Sequence, residues 1–249
     1  MDAVTAARRA LAALDLTNLD DACDAAATTD LCRRAATLHG PVAAVCLWPR
    51  FVAQARRALE GTGIRIATVV NFPSGEEPLE QVRADTRRAL DAGADEIDLV
   101  IPWRRLAAGH PATDTVAEIK AICGPATLKA ILETGELRDP ALVRRAADQA
   151  LAGGADFLKT STGKVPVNAT PEAAEILLQA ILDSGRDAGL KAAGGVRTTA
   201  DAATYLALCD RMMGEGWATP RHFRIGASGV LAALLATLDG AHAPAARGY

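Results

Sequence analysis

The chain has 249 residues, of which 50% are hydrophobic, 23% charged and only 4% aromatic, and its formal net charge is −3 at pH 7. That balance argues against a nucleic-acid footprint spread over the surface, so any anionic ligand has to be met by local positive groups. No apolar run has the length of a membrane span, and the opening MDAVTAARRALAALDLT lacks the apolar segment of a secretory signal, so a cytoplasmic protein with no membrane or nucleic-acid partner is expected.

In chain order, the first ten or so residues read as a leading helix that covers the floor of the domain. Short β-like runs then recur: LDLT (14–17), VAAVCLW (42–48), IRIATVVNF (64–72), EIDLVI (96–101), TLKAILE (127–133), DFLKTST (156–162), GLKAAGG (189–195) and FRIGASG (223–229). Between them lie Ala-, Leu- and Arg-rich stretches of helical spacing. PLEQVRADTRRALDAGA and DPALVRRAADQALAGGA both close on glycine, a helix-stop signal. Thr170-Pro171 ahead of EAAEILLQAIL supplies an N-cap and a first-turn proline. Eight strands alternating with helices at roughly thirty-residue intervals indicate a parallel sheet with helical crossovers, and about 250 residues is the size of one (β/α)₈ TIM barrel. A doubly wound open sheet has the same periodicity. No linker rich in Pro, Gly or Ser divides the chain, so residues 1–249 are expected to form a single catalytic domain with a mobile tail, AHAPAARGY. The five scattered cysteines predict reduced thiols.

Positive charge is distributed unusually: 22 arginines against five lysines. A guanidinium stays protonated, whereas an ammonium can be made to titrate, so each lysine is a candidate for chemistry. Lys120, in TVAEIKAI, reads as a surface residue of a helix. Lys129, Lys159, Lys164 and Lys191 fall in or just after predicted strands. In a barrel the chemistry sits at the carboxyl ends of the strands, and Lys159 and Lys191 occupy comparable places on neighbouring ones. Bringing a lysine from about 10.4 to about 7 takes roughly 4.6 kcal/mol of destabilisation of its cation. Burial and a second nearby cation can supply it. With Asp98 across the lumen to handle protons, the arrangement suggests Schiff-base chemistry on a carbonyl compound. The plainer alternative is a set of buried salt bridges to Asp98 or Glu133 without chemistry.

GGVRT (194–198) and GASG (226–229) follow the seventh and eighth predicted strands, where phosphosugar barrels hold phosphate on backbone N–H groups and a helix N-terminus. Lys164 in STGKV adds a point charge. The alternative is tight barrel turns. TGKV is no P-loop, since Leu158 and Val165 stand where glycine and Ser or Thr belong. The four histidines lack metal-ligand spacing. Cys46, at a strand end, reads as a small core residue, and NFPSG (71–75) as a loop at the mouth.

ADEIDLVIPWRRL, LKAILETGEL, ADFLKTSTGKVPVNATPE, LKAAGGVRT and FRIGAS together resemble the class I deoxyribose-phosphate aldolases over nearly the whole chain. The resemblance implies a TIM barrel that cleaves 2-deoxy-D-ribose 5-phosphate without a metal or organic cofactor, and small phosphosugar and aldehyde partners. It assigns Lys159 as the Schiff-base lysine, Lys191 as the second lysine and Asp98 as the proton-relay carboxylate. Asp15, Thr17 and Lys129 become supporting polar residues. Lys164, Gly195, Val196, Arg197, Gly226 and Ser228 become the phosphate site. Tyr249 matches a tail tyrosine that assists proton transfer. Gly229 stands where a second serine often follows Ser228, and Leu190 where an aromatic can precede Lys191. Another Schiff-base phosphosugar aldolase or a non-catalytic phosphosugar-binding barrel are the rival readings, and a homodimer is left open.

Overall fold

A computed structural model describes residues 1–240. Tyr249 and the rest of the tail lie outside the described residues. The strands are β1 (Leu14–Asn18), β2 (Ala36–Thr37), β3 (Gly40–Pro41), β4 (Ala44–Leu47), β5 (Arg65–Val70), β6 (Glu96–Val100), β7 (Thr127–Ile131), β8 (Phe157–Lys159), β9 (Gly189–Ala193) and β10 (Phe223–Ala227). β1 and β4 to β10 are parallel and close into a barrel in that order, with β10 returning to β1. Every predicted barrel strand is present, and closure removes the open-sheet alternative. The antiparallel pair β2–β3 was not foreseen. Two residues per strand are too few to show a period, and the turn is held by Thr37 Oγ1 donating to Gly40 O at 2.6 Å.

The helices are α1 (Ala3–Ala12), α2 (Ala25–Ala35), α3 (Val52–Ala58), α4 (Leu79–Asp91), α5 (Trp103–Ala107), α6 (Thr113–Cys123), α7 (Thr134–Leu137), α8 (Pro140–Ala152), α9 (Pro171–Ser184), α10 (Thr199–Met213) and α11 (Val230–Leu238). Their starts follow the sequence. Thr170 caps α9 with Pro171 in its first turn, and Thr198 caps α10 reciprocally with Asp201. α1 packs on α10 and α11, tied down by Arg9 gripping Asp210 at 2.6 and 2.7 Å. Leu11 and Ala12 of α1 reach the lip of the cavity under the barrel.

Alternation along each strand makes two different interiors. Leu16, Val45, Ile66, Leu99, Leu128, Leu190 and Ile225 point outward into one apolar layer shared with the helices. The inward set divides by sector. On β4 and β5 it is apolar and small, with Cys46, Ala67 and Val69 packed beside Leu19. From β6 round to β1 it carries Glu96, Asp98, Lys129, Lys159, Lys191, Arg224 and Asp15, all buried. Lys120 differs from its surface reading: its Nζ meets Asp156 at 2.6 Å and the side chain is half-buried, so it joins α6 to the start of β8.

Candidate active site

Strand register puts the ionic groups together. Asp98 pairs across the ladder with Lys129, Lys159 with Lys191, and Lys191 with Arg224. Asp98 is the hub: Lys129 Nζ donates to its Oδ1 at 2.9 Å, and Lys159 Nζ and Lys191 Nζ donate to its Oδ2 at 2.7 and 2.8 Å. Lys191 also stands 2.6 Å from Asp15 Oδ2, an ion pair whose angle lies outside hydrogen-bond geometry. Lys129 is 3.6 Å from that oxygen and donates to Glu96 Oε2. Arg224 completes the set from the floor. It donates to Asp15 Oδ1 at 2.6 Å and to both oxygens of Glu96 at 2.8 and 3.1 Å.

Among the described residues, three buried carboxylates therefore face four buried cations, and the four are not equally served. Lys129 touches three carboxylates, Lys191 and Arg224 two each, and Lys159 only Asp98, which it shares with two other ammonium groups. Burial of an under-compensated charge is what displaces a proton. Burial pushes Lys159 below its ordinary value; Asp98 opposes this and Lys191 adds to it. For Lys191 and Lys129 burial acts in the same direction, but the carboxylates outweigh it and both are raised. Burial likewise opposes ionisation of Asp98 and Asp15, yet the surrounding cations hold both below the usual carboxylate range. With Lys159 neutral the cluster balances at zero net charge.

Lys159 also differs in access. A cleft of about 900 Å³ opens at the carboxyl ends of the strands, and Lys159 lines it together with Thr17, Lys164, Arg197 and Ser228. Lys191, Asp98, Lys129 and Asp15 lie below that lining. The other half of the wall is the pair of glycine loops, Gly194–Arg197 and Gly226–Gly229. Gly195 has φ +85°, a left-handed conformation that favours glycine. Gly226 is required by space. A Cβ there would stand 2.9 Å from Lys191 Cε and 3.1 Å from Ala193 Cβ, so the lysine stem passes over bare backbone. α11 begins at Val230 without a side-chain cap, directly after Ser228 and Gly229, which line the cleft.

The expected site residues thus converge, with refinements. Thr17 lines the cleft but donates to the backbone oxygen of Asp15 at 2.8 Å, so it props the β1 end instead of touching the ionic hub. Val196 is buried and stands among the residues at the wall. The N–H of Arg197 is already spent on Asp201 Oδ2 at 2.9 Å, leaving its guanidinium as the group for an anion. Lys164 lies 3.5 Å from the exposed Asp21. Glu133 pairs with no lysine; it accepts from the N–H and hydroxyl of Thr162, at 3.0 and 2.7 Å, and burial raises it. Cys46 sits in the apolar sector, its thiol pushed up by burial. Glu96 and Arg224 were missed. Glu96 stands two residues before Asp98 and Arg224 two before Gly226, the same-face spacing that could have found them.

A family model described as DeoC/LacD family aldolase matches residues 9–238. A protein of Agrobacterium fabrum described as deoxyribose-phosphate aldolase is 54% identical over 249 residues, covering 98% of this chain and 96% of that protein. Among solved structures, the apo form of a candidate deoxyribose-phosphate aldolase from Toxoplasma gondii superposes with TM-score 0.87 at 30% identity, covering 96% of this chain and 98% of the other. A tetrameric deoxyribose phosphate aldolase from Aeropyrum pernix shares the fold, with TM-score 0.78 at 24% identity and coverage of 95% and 97%.

Proposed function

The chain belongs to the DeoC/LacD aldolase family, and from that premise we propose how its lumen cleaves a small phosphosugar. The reaction is reversible cleavage of 2-deoxy-D-ribose 5-phosphate to acetaldehyde and D-glyceraldehyde 3-phosphate. The observation that carries the residue roles is that Lys159 is the least compensated ammonium of the buried cluster and the one that lines the cleft.

Neutral Lys159 attacks the C1 aldehyde of the open-chain sugar, and loss of water gives an iminium ion. The iminium takes up the electron pair of the C2–C3 bond as the C3 hydroxyl loses its proton, so D-glyceraldehyde 3-phosphate departs and an enamine remains. Asp98 with Lys191, acting through water, receives that proton and returns it to the enamine carbon. Hydrolysis of the new iminium releases acetaldehyde and the free amine. Asp98 Oδ2, 2.7 Å from Lys159 Nζ, also steadies the cationic iminium that forms on that nitrogen. Lys129 and Asp15 hold the hub and Lys191 in place.

The phosphate is assigned to the uncapped α11 N-terminus with Gly226 and Ser228, the turn of Gly195 and Val196, the Arg197 guanidinium and Lys164. Gly229 lacks a hydroxyl but leaves the helix N–H groups free for the anion. Anchoring this end orients C1 toward Lys159. The family match over residues 9–238 and five free cysteines support one catalytic domain spanning the chain, working in the cytoplasm.

Borohydride reduction in the presence of acetaldehyde, followed by peptide mapping, tests the assignment. A stable ethyl adduct on Lys159 is expected. An adduct on Lys191 would reverse the two lysines, and phosphosugar binding with no adduct would favour a non-catalytic barrel.

A further inference from the structure

The lumen holds more charge than the Schiff-base mechanism uses. Below the hub, Arg224 and Glu96 form a bidentate pair at the floor, out of reach of the cleft. Both are buried, and each is one contact removed from the groups that face Lys159. Arg224 grips Asp15, the second partner of Lys191, and Glu96 accepts from Lys129, which shares Asp98 with Lys159 and Lys191. Tucking a guanidinium and a carboxylate under an active site is expensive, and well-packed apolar residues commonly match such pairs in stability. A role other than stability is therefore indicated.

We propose that Arg224 and Glu96 are positioning residues that fix how many protons the lumen retains and so keep Lys159 the neutral amine. The inference rests on Lys159 being the Schiff-base lysine. The groups that face Lys159 are Asp98 on β6, Lys191 on β9, Cys46 on β4 and Glu133 beyond β7; those that face the floor pair are Asp15 on β1, Lys129 on β7 and Arg65 on β5, whose Nε is 3.8 Å from Glu96. Arg65 is exposed, so water screens its charge; among the buried groups three carboxylates balance the protons of Lys129, Lys191 and Arg224, and Lys159 is left without a counterion of its own. Remove Arg224, and three carboxylates face two committed cations, so Lys159 is drawn into holding a proton. Remove the charge of Glu96, and the surplus of positive charge grows, so the Lys159 proton leaves more readily.

The size of the effect comes from the strand geometry. Arg224, Lys191 and Lys159 lie on three successive strands in register, two spacings or about 10 Å end to end. A unit charge at about 10 Å and an effective dielectric near 20 moves a titration by about one pH unit.

The test is the pH dependence of kcat/KM for cleavage of deoxyribose 5-phosphate, whose acidic limb reports the free-enzyme amine. Glu96→Gln is expected to move that limb down by about one unit and Arg224→Met to move it up by about as much. The double variant, with charge parity restored, returns the limb to the wild-type position, and Arg224→Lys leaves it there. A purely structural role would lower activity without opposite shifts or a return in the double variant. If Arg224→Met does not fold, the sign for Glu96→Gln and the position for Arg224→Lys still decide. Unmoved limbs, or shifts of one sign, overturn the proposal even when the borohydride adduct maps to Lys159; an adduct elsewhere in the wild type overturns the Schiff-base assignment itself.

Discussion

Replacing Lys191 by Met removes the cation nearest the reactive amine while keeping most of its apolar stem. Lys159 and Lys191 bond the same Asp98 oxygen at 2.7 and 2.8 Å, which places the two nitrogens about 5 Å apart. At an effective dielectric of about 20, a unit charge at that distance contributes ~3 kcal/mol, or about two pKa units. Loss of Lys191 also returns the whole of Asp98 Oδ2 to Lys159, which acts in the same direction. The acidic limb of kcat/KM is therefore expected to climb by about two units, and at a fixed pH on the limb the rate falls about 100-fold. Coupled detection of D-glyceraldehyde 3-phosphate between pH 5 and 10 reads both quantities. Activity should recover as the pH is raised. A fall that is uniform across pH, with the limb in place, would refute the charge argument and leave Lys191 with proton transfer alone.

Lys159→Leu should lose cleavage and the borohydride adduct yet keep or raise the melting temperature, because three cations then face three carboxylates; a large loss of stability in thermal unfolding would show that the Lys159 ammonium is needed for folding. Asp98→Asn removes the buried negative charge that Lys129, Lys159 and Lys191 share, and a loss of about 3–5 kcal/mol in denaturant unfolding is expected along with loss of activity. Asp15 and Asp98 are held below their unfolded range, so the stability they add is present above about pH 4 and lost as pH falls through their folded values. Circular dichroism should find a steep acid limb that Asp15→Asn flattens. Lys164→Met is expected to raise KM for the phosphorylated sugar several-fold while leaving kcat/KM for unphosphorylated deoxyribose unchanged.

Local signals carried most of the architecture. The barrel strands are short apolar runs, most of them followed within a few residues by glycine or proline, and each helix start at Thr170 or Thr198 is a matter of neighbouring residues. The site lysines were visible for a compositional reason: in a chain that spends arginine on its surface, an amine inside an apolar strand stands out. DFLKTST was too long because its polar end keeps strand-like bonds after β8 stops at Lys159, where Thr160 N still donates to Lys191 O. The β2–β3 pair left no trace because two residues have no period.

What the chain alone determined is which residues face the lumen, since the two-residue alternation of a strand assigns each side chain to one side. It could not determine which of them meet. The partners of Asp98 come from sites 31, 61 and 93 residues further along, and those of Arg224 from 128 and 209 residues back. Only closure of the barrel and the register of its strands bring these groups within 3 Å. The same closure counts the charges, three against four, and leaves Lys159 as the ammonium with the fewest counterions and an opening to the cleft. A lysine's reactivity depends on the sum of the fields around it, and that sum exists only once the strands are in place.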